Sequence, residues 1–190
     1  MTAAVVLAAG ASTRLGEPKQ LVMLGGETLL ERAVRVAHEA GCAPVVVVLG
    51  AAAELVAARC DLGSAVVVVN EAWEEGMASS IQTGLRAVRV GVGGVGGADG
   101  VVLMTCDQPA VTAEHLLALM AAGQVTASAY ACRWGVPAFF PGAAFPALAA
   151  LRGDAGAREL LRGAATVELI GGELDVDTAT DLAEATRLFR

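Results

Sequence analysis

The chain has 190 residues, enough for one domain, and its 55% hydrophobic against 17% charged content calls for a large buried core rather than disorder. A formal charge of −7 argues against a nucleic-acid partner gripped over a long surface and leaves room for a local phosphate pocket. No apolar run approaches the roughly 20 residues that span a bilayer, and the start lacks the basic flank and cleavage pattern of a signal peptide, so no membrane and a cytoplasmic location are expected.

In chain order, Ala3–Leu7 is a continuous apolar run and reads as a strand buried on both faces. Thr28–Ala40 follows as a helix, with Leu29, Leu30, Ala33, Val34 and Ala37 on one side and charged residues opposite. Pro44–Leu49 is a strand, Ala51–Ala58 a helix, Ala65–Val69 a strand, Met77–Val90 a helix and Val101–Thr105 a strand. Thr112 then precedes a helix through Met120, with Glu114 in its first turn. Thr126–Ala131 and Val136–Phe140 read as strands flanking a turn, and Ala155–Leu161 and Thr178–Phe189 as helices. Strand and helix alternate, which predicts α/β architecture: one domain over 1–190, Rossmann-like and doubly wound, with a mostly parallel sheet.

The glycine-rich stretch Val90–Gly100 is expected to be a flexible surface loop. Gly91, Gly93 and Gly96 satisfy the dinucleotide pattern GxGxxG, but a helix precedes them and a strand follows, the reverse of what that motif needs. Cys42, Cys60, Cys106 and Cys132 show neither metal-finger nor disulfide spacing and are expected to pack. Surface roles are expected for His38 and His115.

The stretch VVLAAGASTRLGEPKQL, Val5–Leu21, has the context that the glycine loop lacks, since it leaves a buried strand at the carboxyl edge of a parallel sheet. Beyond Leu7, the small residues Ala8, Ala9 and Gly10 let backbone amides approach an anion, and Ser12 and Thr13 add hydroxyls. Arg14 and Lys19 bring two positive charges, and Lys19 is the only lysine among thirteen basic residues. Such a loop suits a triphosphate, although the Gly10–Gly16 spacing is not that of a P-loop.

Asp107 follows the strand Val101–Thr105, so its carboxylate emerges at the same sheet edge, where it is placed to bind Mg2+ or to serve as a turn residue before Pro109. Asp175 and Asp177, two apart, would face the same way on a strand and complete a metal site, the alternative for Asp177 being a helix cap. Gly76, Met77 and Ala78 offer small side chains and backbone donors before a helix, with Ser79 and Ser80 in reach of a base or ribose, or as caps. Asn70 and Glu71 could border the ribose.

LAAGASTRLGEPKQL resembles the signature of nucleotidyltransferases that join a nucleoside monophosphate to a phosphorylated acceptor and release pyrophosphate. NEAWEEGMASSIQTGL, TCDQPAVTAEHL, GVPAFF, GDAGAREL and DVDTATDL are similar to segments of the branch that makes molybdopterin dinucleotides, so the resemblance spans nearly the whole chain. It implies a glycosyltransferase-A-like nucleotidyltransferase fold, with Arg14, Lys19 and Asp107 catalytic. Leu7, Ala8, Ala9, Gly10, Ser12, Gly76, Met77 and Ser80 would bind the nucleotide together with those three, and Asp107, Asp175 and Asp177 would hold Mg2+. LAAG, PKQL and GMASS are closer to cytidylyltransferases than to guanylyltransferases, implying CTP and molybdopterin as substrates and a molybdoenzyme as a possible client. Trp134, Gly135, Pro137 and Arg158 would meet the acceptor, with Trp134, Phe139 and Phe140 able to stack on a planar pterin, the alternative for the two phenylalanines being core packing. The alternatives are a guanylyltransferase, a sugar-phosphate nucleotidyltransferase of the same fold, or a non-catalytic cofactor-binding chaperone.

Overall fold

After Thr2, an unbroken run of alanine, valine and leucine makes β1 (Thr2–Ala8) a strand buried from Ala3 onward, and the rest of the molecule is wound around it. The computed structural model describes residues 1–91, 97–154 and 156–189. After β1 come a 3-10 turn at Lys19–Leu21, the short ribbon β2 (Met23–Leu24) and β3 (Glu27–Thr28), then α1 (Leu29–Glu39), β4 (Val45–Leu49) and α2 (Ala53–Arg59). The chain continues through β5 (Val66–Val69), α3 (Met77–Val90), β6 (Gly100–Thr105), α4 (Ala113–Ala121), β7 (Thr126–Tyr130) and β8 (Arg133–Pro141). It closes with α5 (Phe145–Ala150), a 3-10 turn at Ala157–Leu161, β9 (Ala165–Glu168) and α6 (Ala179–Leu188).

Seven strands form one sheet in the order β5-β4-β1-β6-β8-β7-β9. β1 lies parallel between β4 and β6, pairing Ala4 with Val45 on one side and Val102 on the other. β8 alone runs antiparallel, against β6 and β7, and β9 pairs parallel to β7 at the edge. Helices cover both faces. α1 and α4 bury Leu30, Val34, Leu116 and Leu119 against one face, and α3 and α5 bury Ile81, Leu85 and Leu148 against the other. The architecture is the expected mostly parallel, doubly wound sheet. Because β1 and β6 point the same way, the loops after Ala8 and Thr105 leave the sheet at one edge.

Local signals explain the helix starts. Thr28 Oγ1 accepts from the Glu31 amide at 3.1 Å while the Glu31 carboxylate accepts from the Thr28 amide at 2.7 Å, a reciprocal cap that fixes where α1 begins. Thr178 and Asp181 form the same arrangement at α6, so the cap is Thr178 and not Asp177.

Several expectations need correction. Ala155–Leu161 is no α-helix but a 3-10 turn over Ala157–Leu161, hemmed in by Gly156 and Gly163; Ala155 lies outside the described residues. The turn expected across 132–135 is tighter, because β8 already begins at Arg133 and pairs it with Tyr130. Asp175 and Asp177 lie outside any strand, in the irregular segment before α6. His115 is buried rather than at the surface and shares a 2.7 Å hydrogen bond with Ser128 Oγ. Cys132 is exposed rather than packed, whereas Cys42 and Cys106 are buried as expected. The expectation of a flexible loop falls mostly on residues 92–96, outside the described residues.

Candidate active site

The loop after β1 is held from beneath by Gln20. Its buried Nε2 donates to Ala8 O at 2.6 Å and to Gly10 O at 3.2 Å, which fixes the bend of the small residues. Ser12, at φ 54°, accepts the Lys19 amide on its Oγ at 3.0 Å and so turns Lys19 back toward the sheet.

Lys19 then meets two carboxylates from distant parts of the chain. Its Nζ donates to Asp107 Oδ2 at 2.6 Å and to Asp177 Oδ1 at 2.7 Å, and Arg14 Nη2 donates to Asp177 Oδ2 at 2.6 Å. Asp107 is carried by the end of β6. Asp177 is drawn in because the Val176 amide donates to Asp107 O at 2.9 Å, and Val176 is buried against Val22, Leu24 and Leu29. Burial alone would lower the Lys19 pKa, but Asp107 and then Asp177 outweigh it and hold the amine well above its ordinary value. Asp175 is pushed up to about 6 by burial and then by the charge of Asp107, partly offset by Arg133.

Opposite this charged corner the cleft is built of small groups. It encloses about 460 Å3, and Leu7–Gly10 face Gly76, Met77 and Ser80 across it. Gly76 has φ 103°, and a Cβ there would stand 2.4 Å from Asp154 Oδ1, so side chains are excluded on both conformational and steric grounds. The Ala78 amide donates to Gly153 O at 3.0 Å, clamping the 153–154 segment onto the start of α3. Ser79 and Ser80 both take hydrogen bonds from Asn70 Nδ2, at 2.8 and 3.0 Å, so Asn70 ties β5 to α3 and does not border the cleft as expected.

The residues expected at an acceptor separate. Trp134 and Arg158 line a second cleft of about 430 Å3, whereas Pro137 is buried in β8 with its carbonyl accepting from Ser128, and Gly135 is packed under the Tyr130 hydroxyl. Among the described residues no three His, Cys, Asp or Glu side chains lie close enough together to hold a metal ion. Asp107 and Asp177 nevertheless converge on one cationic position, now taken by the Lys19 ammonium. Gln20, Trp73, Glu74 and Asp154 line the nucleotide-sized cleft and were not picked out from sequence. Gln20 follows the lone lysine and Asp154 lies in the GDAGAR segment, so only their neighbours signalled them.

A MobA-like NTP transferase domain model matches residues 4–169. The chain belongs to that family. It is a nucleotidyltransferase of MobA-like type, and solved structures agree: Rv0371c of Mycobacterium tuberculosis is 35% identical over 98% of this chain and 97% of its own, with a TM-score of 0.84. A manganese complex of that protein superposes with a TM-score of 0.79 at 31% identity, covering 98% of each chain. Among curated relatives, nicotine blue oxidoreductase of Paenarthrobacter nicotinovorans is 35% identical over 98% of this chain and 94% of its own length. A probable molybdenum cofactor guanylyltransferase of Opitutus terrae is 35% identical over 58% of this chain and 50% of its own. Among the described residues no helix is long and apolar enough to cross a membrane.

Proposed function

We propose that this family member transfers CMP from CTP to the phosphate of molybdopterin and releases pyrophosphate, in a single domain spanning 1–190, with a molybdoenzyme as client of the product. The observation that carries the reading is the meeting of Lys19 with Asp107 and Asp177 at the mouth of the Ala8–Gly10 loop. A triphosphate laid along that loop would exchange some of these contacts for its own, bringing Lys19 and Arg14 to the transferring phosphates. An oxygen of the acceptor phosphate then bonds to the α-phosphorus as the bond to the bridging oxygen breaks, and pyrophosphate departs. The attacking group is already anionic, so no general base is required; positioning and charge neutralisation carry the step.

The donor set suits a divalent cation, because Asp107 and Asp177 present hard carboxylate oxygens to one point and phosphates and water can complete a shell. Mg2+ held there, with Asp175 behind, would offset charge on the reacting phosphates. The manganese complex of Rv0371c supports a divalent ion in this fold.

Cytosine is supported by the LAAG, PKQL and GMASS segments. The Opitutus terrae relative supports guanine as the second reading. Each nucleoside triphosphate is incubated with the protein, Mg2+ and molybdopterin, and pyrophosphate is measured. CTP is expected to exceed GTP by about tenfold or more in kcat/KM. Lys19→Ala and Asp107→Asn should each lower turnover by at least about tenfold. A preferred guanine product would replace cytosine with guanine, and no pyrophosphate from any nucleotide would remove the transferase reading.

A further inference from the structure

Carboxylates are unevenly spread along this acidic chain. None stands between Glu75 and Asp99, or between Glu114 and Asp154. These two stretches supply α3 and α5, which pack side by side over one face of the sheet. That layer is therefore free of acidic residues, whereas α1, α2, α4 and α6 each carry at least one. Asp99, at the border of the first stretch, is already held by the amino terminus.

A groove of about 420 Å3 opens in this layer. Gln82 closes one end, its Nε2 donating to Ala149 O at 3.1 Å and to Leu151 O at 2.7 Å, which ties α3 to the end of α5. Arg152 donates to the same two carbonyls through Nη1, at 3.3 and 2.8 Å, so its guanidinium is held at that end. Arg86 and Arg89 line the groove one and two turns beyond Gln82, and Val90, 74% exposed, adds an apolar rim. All three arginines are exposed, and among the described residues none of them is in an ion pair. The other arginines outside ion pairs have acidic neighbours instead: Arg59 is followed by Asp61, Arg158 and Arg162 share a cleft with Glu159, and Arg133 acts on Asp175.

We propose that this α3–α5 groove docks an acidic segment of a partner protein, which sets carboxylates against Arg86, Arg89 and Arg152 and an apolar side chain against Val90. The three cations are strung along the groove rather than gathered on one point, so a linear ligand with separate charges fits it better than a single small oxyanion. A nucleic acid would carry its charge past this face onto a chain of net charge −7, which repels it. α3 begins at the nucleotide-sized cleft, and Arg86 lies about 14 Å further along the helix at 1.5 Å per residue. A partner seated there leaves that cleft open, and its docking does not depend on which nucleotide the cleft takes.

The probe is a fluorescein-labelled peptide of three Glu-Glu-Leu repeats, titrated with the whole chain at low salt and read by fluorescence anisotropy. A peptide of Gln-Gln-Leu repeats removes the charge, and a thymidine oligonucleotide carries it on phosphates. The wild type is expected to bind the glutamate peptide, less tightly as NaCl is raised. Arg86→Ala/Arg89→Ala should weaken that binding at least about tenfold and Arg152→Ala several-fold, while Arg59→Ala, which removes an exposed arginine from α2, leaves it unchanged. The pair Arg86→Gln/Arg89→Gln, which keeps polar side chains without the charge, should lose the peptide equally, and thermal melts report that each variant is folded. Equal affinity in either pair, equal binding of the glutamine peptide, or tighter arginine-dependent binding of the oligonucleotide overturns the proposal. So does a dimer in sedimentation equilibrium that the same substitutions dissociate, because a second copy would then fill the groove.

Discussion

At the scale of single residues, the candidate site holds like charges together at a cost to the fold. Asp175 titrates near 6 in the folded chain against 3.8 in the unfolded one, because burial and the neighbouring Asp107 disfavour its ion. Between those values the folded state binds more protons, so the contribution to stability is complete at low pH and disappears as the pH rises through about 6. At neutral pH the charged group therefore destabilises. Asp175→Asn keeps the shape without the charge and should raise stability at pH 7 by about 1 kcal/mol after solvent screening, or roughly 2–4 °C in Tm. The gain should shrink by pH 5, where the native carboxyl is already largely protonated; a lower Tm than wild type at pH 7 would refute it. In sequence, Asp175 and Asp177 could be paired with Asp107 only through motif resemblance. What separates their roles is tertiary: the backbone bond from Val176 to Asp107 O, and Thr178 taking over the cap, leave the Asp177 side chain to Lys19.

At the scale of elements, α3 approaches the sheet more closely than its sequence advertises. Gly84 sits in the middle of a 14-residue helix, where intrinsic propensity favours alanine by up to about 1 kcal/mol. A Cβ on Gly84 would stand 2.4 Å from Val5 Cγ1 and 3.0 Å from Val48 Cγ2, both in fully buried strands. The clash decides, since neither strand can withdraw without disturbing the loop that carries Lys19. Gly84→Ala is expected to destabilise by about 1–3 kcal/mol, seen as a lower urea midpoint with unchanged slope. A stabilised Gly84→Ala would mean that α3 packs less tightly. Sequence revealed β1, β4 and β6, buried over nearly their whole length, by unbroken apolar runs, and the edge strand β5 by its four consecutive valines, whereas β9, ATVE, offers no such run. β9 is a four-residue edge strand with alternating half-exposed positions, and α5 is a six-residue helix, FPALAA, too short to show a period. The loop after β1 stood out in sequence because glycine, a lone lysine and a strand end coincide there. Gln20 beneath it was not, because only the fold shows that its amide reaches Ala8 and Gly10.

At the scale of the whole molecule, the response to acid is a contest between a buried histidine and the charged corner. His115, on α4, faces β7, where Ser128 Oγ donates to Pro137 O and so accepts from the His115 Nε2–H. Burial holds its pKa below the ordinary 6.5. The unfolded chain then binds more protons than the folded one, so this contribution is complete above 6.5 and is lost as the pH falls from there to the depressed folded value. Asp175 acts in the opposite sense, regaining stability as the pH falls below about 6. Glu27, lowered mainly by its hydrogen bond to Arg35, and Asp181, lowered mainly by Thr178, add losses only below their ordinary values of 4.5 and 3.8. Wild-type stability should accordingly fall gently from pH 7.5 to 5.5 and steeply only in stronger acid. Removing one contestant exposes the other. In urea melts, the drop in midpoint between pH 7.5 and 5.5 should be larger than wild type in Asp175→Asn and smaller in His115→Gln, even though His115→Gln is less stable throughout from lost packing. Parallel shifts of all three proteins would show that neither group governs the response.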